Sequence, residues 1–390
     1  MFPPLLVQSY LRSGKTLEQL KLGHGVKSFV QNSKISLSYD QIEARESDLL
    51  SQQCRGLILR EGTFDIIAAP MFRFFNLEQT GIVASIDWAT AVFEEKMDGS
   101  LIIVYFDDQF DKWMCATRAR PEADVPVDCG TNTFSDLVNI AIRSMLGFND
   151  LNQWLFSCIG TNYREMTFCF ELCSPANRIV CEYKSFMLTL LSVRDKQTLV
   201  EHVPAMYASR LRVPVVKAYA FDNLADLIDV VRQWDPKEHE GVVIKDANFN
   251  RVKVKNPAYT AYNHMRDSLS ASVRGCMEVV LLGKEDDVIP MVPEFIGDRI
   301  KKLKPIVAQV MRQTQRDFDE LSNVSDMKEF ALLAQQKIWP AALFALKRGK
   351  APDLISFAQG NKKEQSKLPV GAVDTMLALC AKIDPNIKNI

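Results

Sequence analysis

Two textures divide this chain, and one fold cannot carry both. Between about residues 35 and 257, short β-branched and aromatic runs recur: "GLILR", "DIIAAP", "LIIVYF", "FCFELC", "FMLTLLSV", "VPVVKAYAF", "GVVIKD" and "RVKVK", the pattern of strands bounded by turn residues. Helical patterns lie among them. "TFSDLVNIAIRSMLGF" has Thr131 or Thr133 as its N-cap, "KQTLVEHVPAMYASRL" follows, and "NLADLIDVVRQW" stands behind the capping residue Asn223. Strands and helices alternate irregularly, and several neighbouring strands read as hairpins, which predicts an α+β domain with largely antiparallel sheets. After about residue 258 the strand signals nearly stop. "PEFIGDRIKKLKPIVAQVMRQTQRDFDELS", "DMKEFALLAQQKIWPAALFALKRG" and "AVDTMLALCAKI" have helical spacing. A chain of 390 residues exceeds one ordinary core, so the expected division is a mixed domain over 1–262 and an all-α domain over 263–390. The polar stretch "GNKKEQSK", 360–367, reads as an exposed loop.

Composition narrows the partners. A net charge of −1 excludes a generally polyanion-seeking surface, so any nucleic-acid contact must come from a local basic site. Nine cysteines are scattered without a C-x-x-C pair or a Cys/His cluster, which points to reduced thiols and away from structural zinc. Cys54, Cys169, Cys173 and Cys181 lie in apolar surroundings and read as core. No apolar run approaches the roughly 20 residues that span a bilayer, and "MFPPLLVQSYLRSGK" lacks the pattern of a signal peptide. The expectation is a cytoplasmic or otherwise intracellular protein.

One lysine stands out. In "FEEKMDGSLIIVYF", 93–106, Lys96 closes one apolar run and an Asp-Gly pair precedes the next. The pair suggests the φ > 0 geometry of a tight hairpin turn. Glu171 lies inside "FCFELC", a run too apolar to accept a carboxylate without a partner. "EHEGVVIKD" opens a strand with Glu240 and ends it near Lys245, and "RVKVK" alternates Arg251, Lys253 and Lys255 with two valines. Any one of these is most simply a solvated strand edge. Together, Lys96, Glu171, Glu240, Lys253 and Lys255 can form a cleft for nucleotidyl transfer through a covalent lysine. A free lysine has a pKa of about 10.4 and is no nucleophile at neutral pH; the expectation is that burial and the cations Lys253 and Lys255 depress that of Lys96. The same cations, with Mg²⁺ near a carboxylate, would neutralise charge on the attacked phosphate.

"KMDGS", "FELCSPANRIV", "EGVVIK" and "KVK" resemble, in order and approximate spacing, motifs I, III, IV and V of the covalent nucleotidyltransferases: ATP-dependent DNA ligases, RNA ligases and mRNA capping enzymes. "CRGLIL", "PMFRFFNLEQ", "SPANRIV" and "VKNPAYTAYNH" are similar to the bacteriophage RNA ligase 1 type. The resemblance covers about residues 50–265 and implies a nucleotidyltransferase (ATP-grasp-like ligase) fold. It implies that Lys96 forms lysyl-AMP, that Arg55 lies near ribose and phosphates, that Glu171 binds the ribose, that Glu240 serves the divalent metal, Mg²⁺ or Mn²⁺, and that Lys253 and Lys255 contact the α-phosphate and orient pyrophosphate. Arg73 and Arg118 stand where the phage pattern has lysines, keeping the charge but not the geometry. Phe170 either stacks on adenine or turns into the core. The implied activity is an ATP-dependent RNA ligase joining 5′-phosphate and 3′-hydroxyl ends, with Arg118 and Arg120 as candidates for holding RNA. The sequence holds no P-loop G-x-x-x-x-G-K-[ST], and a separate end-healing kinase-phosphatase is a candidate partner. The helical C-terminal third, where a DNA ligase or capping guanylyltransferase has an OB-fold, argues against those two alternatives. A catalytically decayed nucleotide- or RNA-binding protein is the third alternative.

Overall fold

The computed structural model describes residues 4–79, 86–127, 132–270, 273–289, 292, 294–349, 368 and 371–389. The chain splits into two compact units, Met1–Thr260 and Ala261–Ile390. The strands of the first unit are β1 (Val26–Gln31), β2 (Lys34–Tyr39), β3 (Arg55–Arg60), β4 (Ile66–Ala68), β5 (Phe75–Asn76), β6 (Val92–Lys96) and β7 (Ser100–Asp107). They continue as β8 (Lys112–Thr117), β9 (Met166–Cys173), β10 (Met187–Asp195), β11 (Glu201–His202), β12 (Ala218–Tyr219), β13 (Gly241–Lys245) and β14 (Arg251–Lys255).

They form three sheets, ordered β1-β2-β3-β4, β11-β10-β9-β7-β8 and β12-β6-β13-β14-β5. The named strand pairs are antiparallel except β14–β5, so the largely antiparallel α+β expectation holds. Each sheet has its own apolar partner. Helices Leu6–Arg12 and Leu17–His24 bury Leu11 and Leu20 with Leu37, Leu57 and Leu59 of the first sheet. Helices Phe134–Leu146 and Leu151–Cys158 cover the second through Leu137, Ile142, Trp154 and Leu155. Helix Leu224–Gln233 covers the third, packing Leu227 and Val231 on Val242, Ile244, Val252 and Val254. Each such side chain taken fully out of water contributes about 1.5–3 kcal/mol, so each sheet is fixed by the side that faces away from the charged residues.

Some sequence expectations shift. The two N-terminal helices and β1 lie before residue 35, where no element was read; β1 has one buried residue in six, too weak an alternation to register. "KQTLVEHVPAMYASRL" is helical only over Ala205–Leu211, with β11 before it, and "VPVVKAYAF" yields only Ala218–Tyr219 as a strand. Thr133 caps its helix by accepting from the Asp136 N–H, and Asn223 caps the later one through Asp226. Thr131 and the 360–367 stretch lie outside the described residues. Cys54, Cys169, Cys173 and Cys181 are buried free thiols, as expected.

In the second unit, helices Val273–Leu282, Glu294–Leu321 and Ala372–Ile383 share a core of Cys276, Met277, Ile296, Ile300, Val310 and Met376. A smaller cluster of Leu321, Phe330, Ala334 and Leu343 joins Met327–Ala334 and Pro340–Lys347. Among its described residues the regular structure is helical throughout. No helix among the described residues is long and apolar enough to cross a membrane.

Candidate active site

Three strands set the surroundings of Lys96. In the third sheet Lys96 of β6 lies opposite Gly241 of β13, and Gly241 lies opposite Lys255 of β14. Strand alternation sends the β13 and β14 residues Val242, Ile244, Val252 and Val254 into the core, leaving Gly241, Val243, Lys253 and Lys255 on the other face. Gly241 has φ of 153°, and a Cβ there would overlap the Val254 carbonyl oxygen. The middle strand therefore carries no side chain between the two lysines. They converge instead on the preceding residue: Lys96 Nζ is 2.6 Å from Glu240 Oε2, and Lys255 Nζ is 2.8 Å from Oε1. Glu240 is only 4% exposed, so these two ammonium groups compensate its buried charge.

The segment after Lys96 is not the expected hairpin. β6 and β7 belong to different sheets, and Gly99 has no left-handed φ. "KMDGS" is a crossover, and its glycine is needed for space, because a Cβ would overlap the Leu172 carbonyl oxygen and lie 2.8 Å from Cys173 Sγ. Asp98, at 1% exposure, is a structural tie. Its Oδ2 accepts from the Val180 and Cys181 N–H groups at 2.8 and 2.7 Å, and its Oδ1 from the Tyr259 hydroxyl at 2.5 Å. Asp98 and Tyr259 thus join three of the quoted motifs, a role invisible when each motif is read alone.

Glu171 comes from the second sheet. On β9, Phe168, Phe170 and Leu172 enter the apolar core and Glu171 faces the other way, accepting from the Gly99 N–H at 3.0 Å. Phe170 is fully buried against Trp154, so it is a core residue. Burial, with Glu240 close by, outweighs Lys96 and Arg55 and pushes the Glu171 carboxyl up to about 7. Arg55, at the start of β3, has its guanidinium 5.2 Å from the Phe74 ring, while Lys253 Nζ lies 5.7 Å from the same ring. Arg55 Nη1 is buried with no hydrogen-bond partner among the described residues. Arg55, Phe74, Lys96 and Glu171 line one small cavity with Val243.

The electrostatics correct one expectation. Burial acts to lower the Lys96 pKa, but Glu240 and Glu171 outweigh it and hold the ammonium above its ordinary range. The depressed lysine is Lys253: burial, then the fields of Lys96, Lys255 and Arg55, bring it down to about 7. The cations gather as expected, but the carboxylates next to Lys96 decide its state.

Arg73 and Arg118 lie farther out, both resting on the Tyr39 ring at 4.3 and 5.5 Å. Arg73 also sits 4.9 Å from Phe75 and donates to the Ala44 carbonyl at 3.1 Å, whereas Arg120 stacks on Phe29 at 3.4 Å. No local sequence signal marks Tyr39 or Phe74 as the rings that hold these cations. Among the described residues, no group of three His, Cys, Asp or Glu side chains could hold a metal alone. The set fits a divalent ion that brings phosphate and water oxygens with it, since Mg²⁺ needs only one or two protein carboxylates and Glu240 already binds two cations.

Residues 53–259 match a family described as RNA ligase. They make up more than half of the chain, and the protein belongs to that RNA ligase family. A protein of Autographa californica nuclear polyhedrosis virus, named as a bifunctional polynucleotide kinase/RNA ligase, is 24% identical over 394 residues, covering 93% of this chain and 53% of that one. The chain thus spans about half the length of the curated relative it matches. Among solved structures, an archaeal ATP-dependent RNA ligase is 13% identical with a TM-score of 0.42, covering 98% of this chain and 90% of the other. A mutant Naegleria gruberi RNA ligase with ATP and Mn is 15% identical with a TM-score of 0.33, covering 44% and 51%. The family match favours the RNA ligase family over the DNA-ligase and capping alternatives.

Proposed function

We propose that this chain is an ATP-dependent RNA ligase that works through Lys96. The observation that carries the reading is the meeting of Lys96 and Lys255 on the two oxygens of buried Glu240, with Glu171, Arg55 and Lys253 around them. In the first step Lys96 Nζ attacks the α-phosphorus of ATP, a P–N bond forms, and pyrophosphate leaves. In the second, an RNA 5′-phosphate oxygen displaces the lysine and takes the AMP. In the third, a 3′-hydroxyl attacks the activated phosphate, AMP leaves, and a 5′-3′ phosphodiester remains.

The side chains supply positioning and charge. Lys96 must lose its proton, so Glu240 must release its ammonium before attack. Glu240 is the residue that would hold a divalent cation, Mg²⁺ or Mn²⁺, which supplies charge neutralisation on the phosphates. Arg55 has an unengaged buried donor ready for a phosphate oxygen. Lys253, poised at about 7, is fully protonated once phosphate charge adjoins it. Glu171, protonated or ionised near neutrality, can engage the ribose hydroxyls as donor or acceptor. Arg73 and Arg118 are the candidates for the outer phosphates. The RNA substrate has 5′-phosphate and 3′-hydroxyl ends, prepared by an end-healing kinase-phosphatase activity outside these residues.

The test is incubation with α-³²P-labelled ATP or GTP and Mg²⁺, followed by a denaturing gel. Label from ATP alone, absent in Lys96→Ala and without divalent cation, is expected. An unlabelled wild-type protein whose intact mass shows no prior adenylylation would end the lysyl-AMP mechanism.

A further inference from the structure

A second cavity, of about 630 Å³, opens beside the cleft. Phe74 and Arg251 line both. The charged face of β14 therefore runs on from Lys255 and Lys253 to Arg251, about 6.6 Å per alternate residue. Inside the second cavity Arg251 and Arg194 share one carboxylate, Glu201. Arg194 Nη2 lies 3.2 Å and Arg251 Nη1 3.1 Å from its Oε2, and the three side chains are no more than 9% exposed. Two cations against one anion leave a surplus positive charge in a shielded wall. Arg194 Nε is also buried without a hydrogen-bond partner among the described residues.

Flat apolar surface adjoins this charge. The Arg194 guanidinium lies 4.3 Å from the Phe72 ring and that of Arg251 lies 5.9 Å from Phe249. Two bulky residues of the cavity lining, Leu199 and Phe249, are both held at φ of 61°, a conformation such side chains rarely adopt and one that accumulates at ligand clamps. Asn248 stands exposed beside Phe249 and adds an amide. Unbalanced buried guanidinium charge, an aromatic face and an amide together suit a nucleotide unit, and the volume lies in the range of small-ligand sites.

We propose that this cavity is a polynucleotide subsite: a phosphate of the RNA strand sits against Arg194 and Arg251, and a base beside it stacks on Phe249. The choice of RNA as ligand rests on the ligase reading above, and the shared strand face lets a strand seated there lead its end toward Lys253 and Lys96.

The probe is a 5′-phosphorylated, 3′-fluorescein-labelled single-stranded RNA oligonucleotide, read by anisotropy against the full chain. Phe249→Gly removes the ring at a φ that glycine adopts freely, and Asn248→Asp adds a negative charge at an exposed position; neither endangers the fold. Each variant should bind the RNA about tenfold more weakly, in the range of a lost base stack or phosphate contact, while forming lysyl-AMP at the wild-type KM for ATP. Unchanged RNA affinity in both variants overturns the subsite. So does a raised KM for ATP with RNA affinity intact, which would assign the cavity to the nucleotide's own phosphates. Because the RNA measurement needs no turnover, a wild-type protein that makes no lysyl-AMP would refute the ligase reading separately, and weaker RNA binding by the variants would still uphold the subsite.

Discussion

Lys34 and Lys96 are both lysines of the first unit set against carboxylates, and their surroundings differ in one respect. Lys34, on β2, is fully buried, with Nζ 2.8 Å from Asp107 and 2.9 Å from Glu122. One cation there meets two anions, and Arg60 stands 3.5 Å from Asp107 to complete the balance. Lys96 shares its anion Glu240 with Lys255 and has Lys253 and Arg55 nearby, so cations outnumber the acids they face. The first cluster is closed and holds two sheets together, β2 to β7. The second lacks negative charge, which an arriving triphosphate would supply. Burial of a lysine therefore says little about function here; the sign of the local charge imbalance says more.

Exchanging each lysine for methionine separates the two clusters. Lys34→Met leaves buried Asp107 with only the longer 3.5 Å contact to Arg60, and loss of one member of a buried ion pair costs about 3 kcal/mol or more. Chemical denaturation should register that loss with lysyl-AMP formation retained in the folded fraction. Lys96→Met leaves Glu240 paired with Lys255, so stability should change by no more than about 1 kcal/mol while lysyl-AMP formation vanishes. Equal destabilisation by the two substitutions would erase the distinction between a closed and an open cluster.

A smaller effect is expected at Lys253. Its folded pKa of about 7 lies below the ordinary lysine value of about 10.4. The cost of charging it in the fold is complete below pH 7 and is relieved as pH rises toward 10, so this lysine makes the protein gain stability across that window. Lys253→Met should raise stability by about 2 kcal/mol at pH 6 and flatten the rise between pH 7 and 9, at the expense of ATP binding. Parallel stability curves for the two proteins over that range would rule out a depressed Lys253.

How much of this was legible in sequence follows from the same contrast. The residues the motifs single out, Lys96, Glu171, Glu240, Lys253 and Lys255, are next to one another because strand alternation and apolar patterning together dictate which face each occupies. Period two predicted the "RVKVK" faces, and they are as expected. What stayed hidden depends on contacts between distant segments. Asp98 reads as half of an Asp-Gly turn, and only the fold shows it accepting hydrogen bonds from Val180, Cys181 and Tyr259. The direction of the Lys96 shift stays hidden for a similar reason: Lys96 and Lys255 are far apart in sequence, and Glu240 meets both only through the register of β6, β13 and β14. Lys34, in "NSKISL", carries no local signal at all, because its two acids come from β7 and the segment beyond β8.

The smallest predicted effect lies on the acid side of the same cleft. Glu171 has its folded pKa raised to about 7, against an ordinary value near 4.3. For a raised carboxyl the stabilising contribution is complete below the unfolded pKa and is lost as pH climbs through the folded one, so this residue makes the protein lose stability between about pH 4.5 and 7. Glu171→Gln keeps the shape and cannot ionise. Relative to wild type it should gain about 1 kcal/mol across that window, less than the full shift implies because the side chain is partly exposed and its charge is screened by solvent. Glu171 and Lys253 therefore slope in opposite directions on either side of pH 7, and together they put the greatest electrostatic cost of the empty cleft near neutrality, where phosphate binding would relieve it. Thermal melts of wild type and Glu171→Gln at half-unit intervals from pH 4.5 to 8 would decide: a gap that widens up to pH 7 and then levels supports the assignment, and a constant gap would mean that Glu171 is ionised throughout, as an ordinary carboxylate is.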